Sequence, residues 1–185
     1  MQGSTNHVPS LAQRSDIRQL AFVPRDFQAA LRFWTESLQV GPFFLLDHLP
    51  YRNVIYRGSP IEIDVSVALG YWGEMQIELI QQHNEKVVSG YTESTPIRRD
   101  GLHHVLVDTD DIDKLHGRYL ENGGATLMTG HVPDAGRFIY IDMGDGPHIE
   151  LAELAPRFRA VFDYMKGEAA SWNGRDAVRR LPSEL

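Results

Sequence analysis

Two glutamates in matching apolar runs are the residues of this sequence best placed to do chemistry. Glu78 lies in the run MQIELIQ, and Glu150 lies in the run PHIELAE. Burying an ionised carboxylate among apolar side chains is costly unless a partner compensates its charge. Because the same setting occurs twice, we expect one partner shared by both carboxylates, and a divalent metal ion is the simplest such partner.

The elements that must position these glutamates form an internal repeat. Residues 16–82 predict a strand, a helix and three further strands, with Glu78 on the last strand. Residues 101–155 predict the same order, with Glu150 on the last strand. The predicted fold class is therefore α+β, with two paired βαβββ modules whose curved sheets enclose one metal-binding cleft.

Side-chain alternation places the polar residues of the repeat on one face of the strands. Aligning Gln19 with His104 also aligns Asp26 with Asp111, each of which is a predicted helix N-cap. Residues two apart in a strand share a face, so His103 is expected to face the helices and to be structural. The faces turned away from the helices carry Gln19, Gln76, Glu78, His104, His148 and Glu150. One histidine, one glutamine and two glutamates at equivalent positions of a repeat suggest a metal site.

Over about residues 16–155, this arrangement resembles the vicinal oxygen chelate superfamily of glyoxalases, bleomycin resistance proteins and dioxygenases. The resemblance is carried by Gln19, by Glu78 in QIEL, by His104 in GLHHV and by Glu150 in HIEL. In such proteins the first and last strands of each module each give one metal ligand. The resemblance therefore implies that Gln19, Glu78, His104 and Glu150 hold a divalent ion, which could be Mg, Mn, Co, Ni, Zn or Fe. Many members have histidine at the position of Gln19, but the methylmalonyl-CoA epimerase branch is similar in having an amide ligand.

The chemistry implied is proton transfer next to a carbonyl group. A divalent ion that chelates a carbonyl oxygen and a neighbouring oxygen acidifies the adjacent C–H bond and stabilises the enolate. We therefore expect a metal-dependent isomerase, epimerase or lyase acting on a small oxygenated carbonyl substrate. Glu150, Glu78 or His48 is expected to act as the base. The residues expected to contact the substrate are His148, Tyr140 and Gln76.

Several alternatives remain open from the sequence alone. The same fold also suits a non-catalytic protein that binds a small molecule, or a ring-cleaving dioxygenase, although a ferrous site usually has two histidines and one carboxylate. The two glutamates could instead pair with arginine, and His104 could be a core histidine. His148 could make only a supporting hydrogen bond to a ligand, and Tyr140 could belong to the core.

Composition limits the possible partners. The 185-residue chain has a net charge of −7, which argues against non-specific binding to nucleic acid or to anionic lipid. It has no cysteine, which excludes disulfides and fits a cytoplasmic protein. Residues 1–15 are expected to be a polar arm rather than a signal peptide, 83–100 a linker loop, and 156–185 a C-terminal helix and tail. A homodimer is possible.

Overall fold

The computed structural model describes residues 17–93 and 101–183. The predicted N-terminal arm and the second part of the predicted linker loop lie outside the described residues. Within the described ranges, the chain forms one large curved sheet of eleven strands and three helices. No helix in these ranges is long and apolar enough to cross a membrane.

The first module consists of a strand, a helix and five further strands. Its helix α1 continues into a π-helical turn at Phe33–Ser37. The elements are β1 (Ile17–Phe22), α1 (Phe27–Arg32), β2 (Phe43–Leu46), β3 (Arg52–Tyr56), β4 (Ser59–Pro60), β5 (Val65–Trp72) and β6 (Met75–Gln82).

The second module repeats this order without the short β3–β4 insertion and is followed by a C-terminal helix. Its elements are β7 (Leu102–Asp108), α2 (Ile112–Glu121), β8 (Ala125–Val132), β9 (Gly136–Asp142) and β10 (His148–Leu154). The chain continues through α3 (Pro156–Ala170) and β11 (Val178–Arg179).

The sheet order is β11-β2-β5-β6-β1-β7-β10-β9-β8-β3-β4. In each module the first and last strands pair in parallel, as β1 with β6 and β7 with β10. The antiparallel pair β1–β7 joins the modules at the centre of the sheet. This confirms the predicted α+β fold of two paired modules. The hairpin β3–β4 was not predicted; it leaves the first module and pairs with β8 of the second.

Helix caps and apolar stripes explain how each module closes. The side chains of Asp26 and Asp111 accept hydrogen bonds from the backbone N–H of Ala29 (2.8 Å) and Lys114 (3.1 Å), so both predicted N-caps are confirmed. Helices α1 and α2 bury their apolar stripes against one face of the sheet. A third cluster, on strand residues of the opposite parity, packs against α3. The polar residues of the repeat lie on the same face of the sheet as this third cluster.

Candidate metal centre

Three strands bring Glu78, His104 and Glu150 together. The Nε2 atom of His104 lies 2.8 Å from Oε2 of Glu150 and 3.4 Å from Oε2 of Glu78. One ligand atom from each residue lies within 4.8 Å of the others. The His104 side chain is fully buried and each carboxylate is 12% exposed. Of the six polar side chains that alternation is expected to bring together, these three do meet. Among the described residues, the partner shared by both acids is His104 rather than an arginine.

The register of the strands places a small residue, Ala21, between Glu78 and His104. This fully buried residue of β1 pairs with Glu78 on one side and with His104 on the other. Cross-strand partners point to the same face of a sheet. Because the side chain of Ala21 is small, the side chains of Glu78 and His104 on either side of it can meet above it. Sequence reasoning did not single out Ala21, although its place between Gln19 and Pro24 on the site-facing parity was visible.

Gln19 contributes a buried oxygen atom to the same cavity. Its Nε2 donates a hydrogen bond to Oε1 of Gln76 (2.6 Å), and Nε2 of Gln76 donates to the hydroxyl of Tyr71 (3.0 Å). These two bonds fix the orientation of the Gln19 amide. Its Oε1 atom is then buried with no hydrogen-bond partner in the part of the chain that the structure describes. Leaving such an atom unsatisfied is costly, and a cation would satisfy it.

The neighbour of His104 determines which of its ring nitrogens faces the two acids. Nε2 of His103 lies 2.8 Å from the carbonyl oxygen of Gly90, which can only accept, so this nitrogen carries a proton. Nδ1 of neutral His103 therefore accepts a hydrogen bond from Nδ1 of His104 at 2.9 Å. In its neutral form, His104 consequently directs the lone pair of Nε2 at Glu78 and Glu150. This is the tautomer that a metal ligand requires.

The expectation that His103 faces the helices is wrong. Ala21 pairs with His104 and Phe22 pairs with Leu102, so His103 is an extra residue in β7 and forms a β-bulge. A bulge changes the direction of a side chain. It brings the His103 ring into contact with the rings of His104 and Tyr140. The alternation of side chains holds only for regularly paired strands, so it does not predict the position of His103.

The electrostatics of the cluster favour a cation between the acids. Burial lowers the pKa of His104, but the charges and hydrogen bonds of Glu150 and Glu78 outweigh it and raise the pKa to about 9. Burial also raises the pKa of Glu78, opposed by His104. In the absence of an ion, a proton on His104 therefore compensates the two acids, and a divalent ion would take its place.

Three tyrosines form one wall of the cavity. The hydroxyl of Tyr140 donates to Oε2 of Glu150 (3.2 Å), the hydroxyls of Tyr91 and Tyr140 are 3.1 Å apart, and those of Tyr51 and Tyr91 are 3.4 Å apart. Burial raises the pKa of all three tyrosines, so they stay neutral. Tyr91 was not expected at the site, because it lies in the predicted linker loop.

Apart from Arg137, the side chains of the remaining walls are apolar. The cavity has a volume of about 80 Å³. Phe158 and Phe162 of α3 line it, so the C-terminal helix, which the repeat does not include, completes the site. The other apolar lining residues are Leu49, Val67, Leu69, Leu106, Val132, Ala135, Phe138, Ala152 and Leu154.

Three residues expected at the site lie elsewhere. Gln76 is buried behind Gln19 and orients its amide, instead of lining the cavity. His148 is fully buried, with its ring 5.2 Å from the ring of His103. The His48 side chain is 63% exposed and is paired with Asp64 outside the cavity, so it is not placed to act as a base at this centre. His48 lies in the connection that follows β2, and strand alternation does not predict the direction of a side chain outside a strand.

The family of the chain follows from comparison of its sequence with family models. A model of the Glyoxalase/Bleomycin resistance protein/Dioxygenase superfamily matches residues 18–141. The chain belongs to this superfamily. A search of curated proteins with the sequence found no match.

Solved structures share the superfamily fold at low sequence identity. A hypothetical protein from Bacillus halodurans is 18% identical, with a TM-score of 0.57 over 76% of this chain and 95% of that chain. Methylmalonyl-CoA epimerase from Mycobacterium tuberculosis is 18% identical, with a TM-score of 0.52 over 78% and 91%. A mutant 4-hydroxymandelate synthase from Streptomyces coelicolor is 14% identical, with a TM-score of 0.53 over 77% and 42%. These similarities concern the fold alone.

Proposed function

We propose that this member of the superfamily is a metal-dependent isomerase, epimerase or lyase that acts on a small oxygenated carbonyl compound through an enolate. The main support is the unsatisfied Oε1 of Gln19, which lines the same cavity as Glu78 and Glu150. Together with His104, these residues offer three oxygen donors and one nitrogen donor. A donor set rich in oxygen suits ions such as Mg²⁺, Mn²⁺ and Co²⁺.

The two acids have different surroundings and therefore different roles in the proposal. Because Tyr140 donates to Glu150, Tyr91 must donate to Tyr140 and Tyr51 to Tyr91, so the hydroxyl protons of all three tyrosines point towards Glu150. A carboxylate oriented in this way is a fixed ligand. Glu78 is 3.4 Å from His104 and has a raised pKa. Glu78 is thus the more weakly held carboxylate, and its raised pKa suits the removal of a proton, so we assign it the role of base.

The chemistry then divides between the ion and the chain. When bound, the ion would polarise the substrate carbonyl and acidify the neighbouring C–H bond. Glu78 removes that proton and returns it. Gln19, His104 and Glu150 would hold the ion in place, and the apolar walls lower the local dielectric constant, which strengthens electrostatic interactions inside the cavity.

Exchange of the acidic proton with solvent tests this function without knowledge of the exact substrate. Protein loaded with Mn²⁺ or Co²⁺ is incubated in D₂O with a panel of small 2-oxo acids, α-hydroxy ketones and 2-substituted acyl thioesters, and deuterium is measured by mass spectrometry. We expect incorporation into one class of compound, and its loss in Glu78→Gln, which still binds the ion. Equal incorporation by metal-free protein would contradict the proposal.

A non-catalytic binding function is the second candidate, and the aromatic and aliphatic walls of the cavity support it. A binder of this kind would take up an apolar small molecule equally well with and without a divalent ion. Calorimetric titration of the two forms distinguishes the candidates. A ring-cleaving dioxygenase would require iron and consume oxygen, but this centre contains one histidine instead of the usual two.

A further inference from the structure

A second group of metal-ligand side chains lies outside the cavity, at one end of the first module. His48, Asp64 and His83 each place one ligand atom within 4.8 Å of the others. Nδ1 of His48 is 2.6 Å from Oδ1 of Asp64. The rings of His48 and His83 stack at 4.6 Å, with an angle of 30° between their planes. Both histidines are exposed.

Backbone pairing fixes the three residues at adjacent strand ends. The strands β2, β5 and β6 are neighbours in the sheet. The backbone N–H of His83 donates to the carbonyl of Asp64 (2.7 Å), and that of Leu49, next to His48, donates to the carbonyl of Val65 (2.8 Å). The cluster is therefore built on the sheet and does not depend on long, freely moving side chains.

A buried serine holds both histidines. Ser66 is 2% exposed. Its Oγ accepts a hydrogen bond from the backbone N–H of His48 (3.0 Å) and lies 2.8 Å from Nε2 of His83. A hydrogen bond to a ring nitrogen, such as that of His83, orients ligating histidines in metal sites, whereas the bond to His48 fixes its backbone. His48 also has φ +47°, a left-handed conformation that is uncommon for residues other than glycine. The surrounding contacts thus hold the ring of His48 beside Asp64 in an unusual backbone conformation.

We propose that His48, Asp64 and His83 form a second binding site, for a divalent transition-metal cation such as Zn²⁺, Ni²⁺ or Cu²⁺. Two imidazoles and one carboxylate are a donor set that these ions bind well, whereas the oxygen-rich buried centre suits harder ions. These three side chains would fill three coordination positions of the cation, and water or an external ligand would fill the others.

Binding here would act on the wall of the cavity. The cation would link the end of β2 to β5 and β6. The segment that follows His48 carries Leu49 and Tyr51, which line the cavity. A bound ion therefore stabilises the position of these two side chains. The site itself does not depend on the function proposed for the buried centre, because it shares no residue with that centre.

Counting bound ions by native mass spectrometry and calorimetry with Zn²⁺ alone tests the second site. In the full-length chain, we expect His104→Ala to keep one Zn²⁺, and His48→Ala or His83→Ala in that background to lose it. We expect Ser66→Ala to weaken its binding by about tenfold, the usual effect of removing a residue that orients a ligand. His131→Ala, which removes a histidine from β8, is the matched control and should bind as its parent does.

Two results would overturn the second site. One is a His104→Ala protein that is folded by circular dichroism but binds no Zn²⁺. The other is Zn²⁺ binding that is unchanged by His48→Ala and His83→Ala. Should His104→Ala fail to fold, the same exposed substitutions in the otherwise unchanged chain decide the question, since they must lower the Zn²⁺ stoichiometry by one. Because only binding is measured, the outcome is independent of any catalytic activity.

Discussion

The two nitrogens of the His104 ring have different partners, and this difference determines what the ring can do. The carbonyl of Gly90 fixes the proton of His103, and His103 in turn fixes that of His104. The nitrogen facing Glu78 and Glu150 is left to bind either a proton or a metal ion. Metal binding should therefore depend on a residue that touches no ion and on the pH of the solution.

Replacing His103 with Phe tests the first dependence. Phenylalanine fills similar space but cannot accept the hydrogen bond from Nδ1 of His104, so the ring is free to adopt the other tautomer. We expect metal affinity to fall by about 10- to 100-fold, as is usual when a residue that orients a ligand is lost. Calorimetry with Mn²⁺ or Co²⁺ measures this, with His116→Ala on α2 as the control. Unchanged affinity in a folded His103→Phe protein would refute the role.

The pH dependence of metal binding follows from the raised pKa of His104. Below its pKa of about 9, His104 carries a proton that an incoming ion must displace. Affinity should therefore rise with pH up to about 9, by on the order of tenfold per unit if one proton is released. Calorimetry in buffers of different ionisation enthalpy counts the protons released. Release of no proton at pH 7 would mean that His104 is already neutral there.

At the scale of the elements, strand alternation and the internal repeat were sufficient to predict that Glu78, His104 and Glu150 come together. The two-residue period of side chains along a strand placed Gln19, Glu78, His104 and Glu150 on one face of the sheet. The repeat suggested that the two modules meet. Alternation could not predict the bulge at His103, because a bulge is a departure from regular pairing. It also could not predict Tyr91, which reaches the cavity from a connection between the modules, since contacts of this kind depend on tertiary packing.

Replacing Ala21 with Leu tests whether strand register creates the space for the ion. The added atoms would occupy the gap between Glu78 and His104 without altering any proposed ligand. We expect the variant to fold with a loss of about 1–3 kcal/mol, typical of overpacking, and to lose metal binding. Thermal unfolding and metal titration measure the two effects, and Ala21→Ser, which adds one atom, is the control. Metal affinity equal to that of the parent would show that the gap lies elsewhere.

At the scale of the whole molecule, α3 closes the site from outside the repeat. Phe158 and Phe162 line the cavity. Arg159 pairs with Asp108 at the end of β7 and lies 3.0 Å from Asp110. The helix is thus attached to the sheet next to the cavity that it completes. Within the described residues, one chain supplies the whole lining of the cavity. A homodimer, a cytoplasmic location and the predicted domain boundaries stay predictions.

Replacing Phe158 with Ala tests the role of α3 in shaping the cavity. Removing this half-buried ring enlarges the cavity but leaves the proposed ligands in place. We expect the affinity for a small substrate or inhibitor to fall, because apolar contact is lost, while metal affinity stays unchanged. Titrations of metal and of organic ligand, carried out on the same sample, separate the two effects. A parallel loss of metal affinity would instead make α3 part of the framework of the metal centre.

The most direct test of the central claim is a crystal structure of the protein loaded with Mn²⁺ or Co²⁺, with diffraction data collected at the absorption edge of the metal. We predict an anomalous peak in the cavity, bound by Oε1 of Gln19, Nε2 of His104 and carboxylate oxygens of Glu78 and Glu150. Absence of a peak there, with both acids still paired to His104, would contradict the claim.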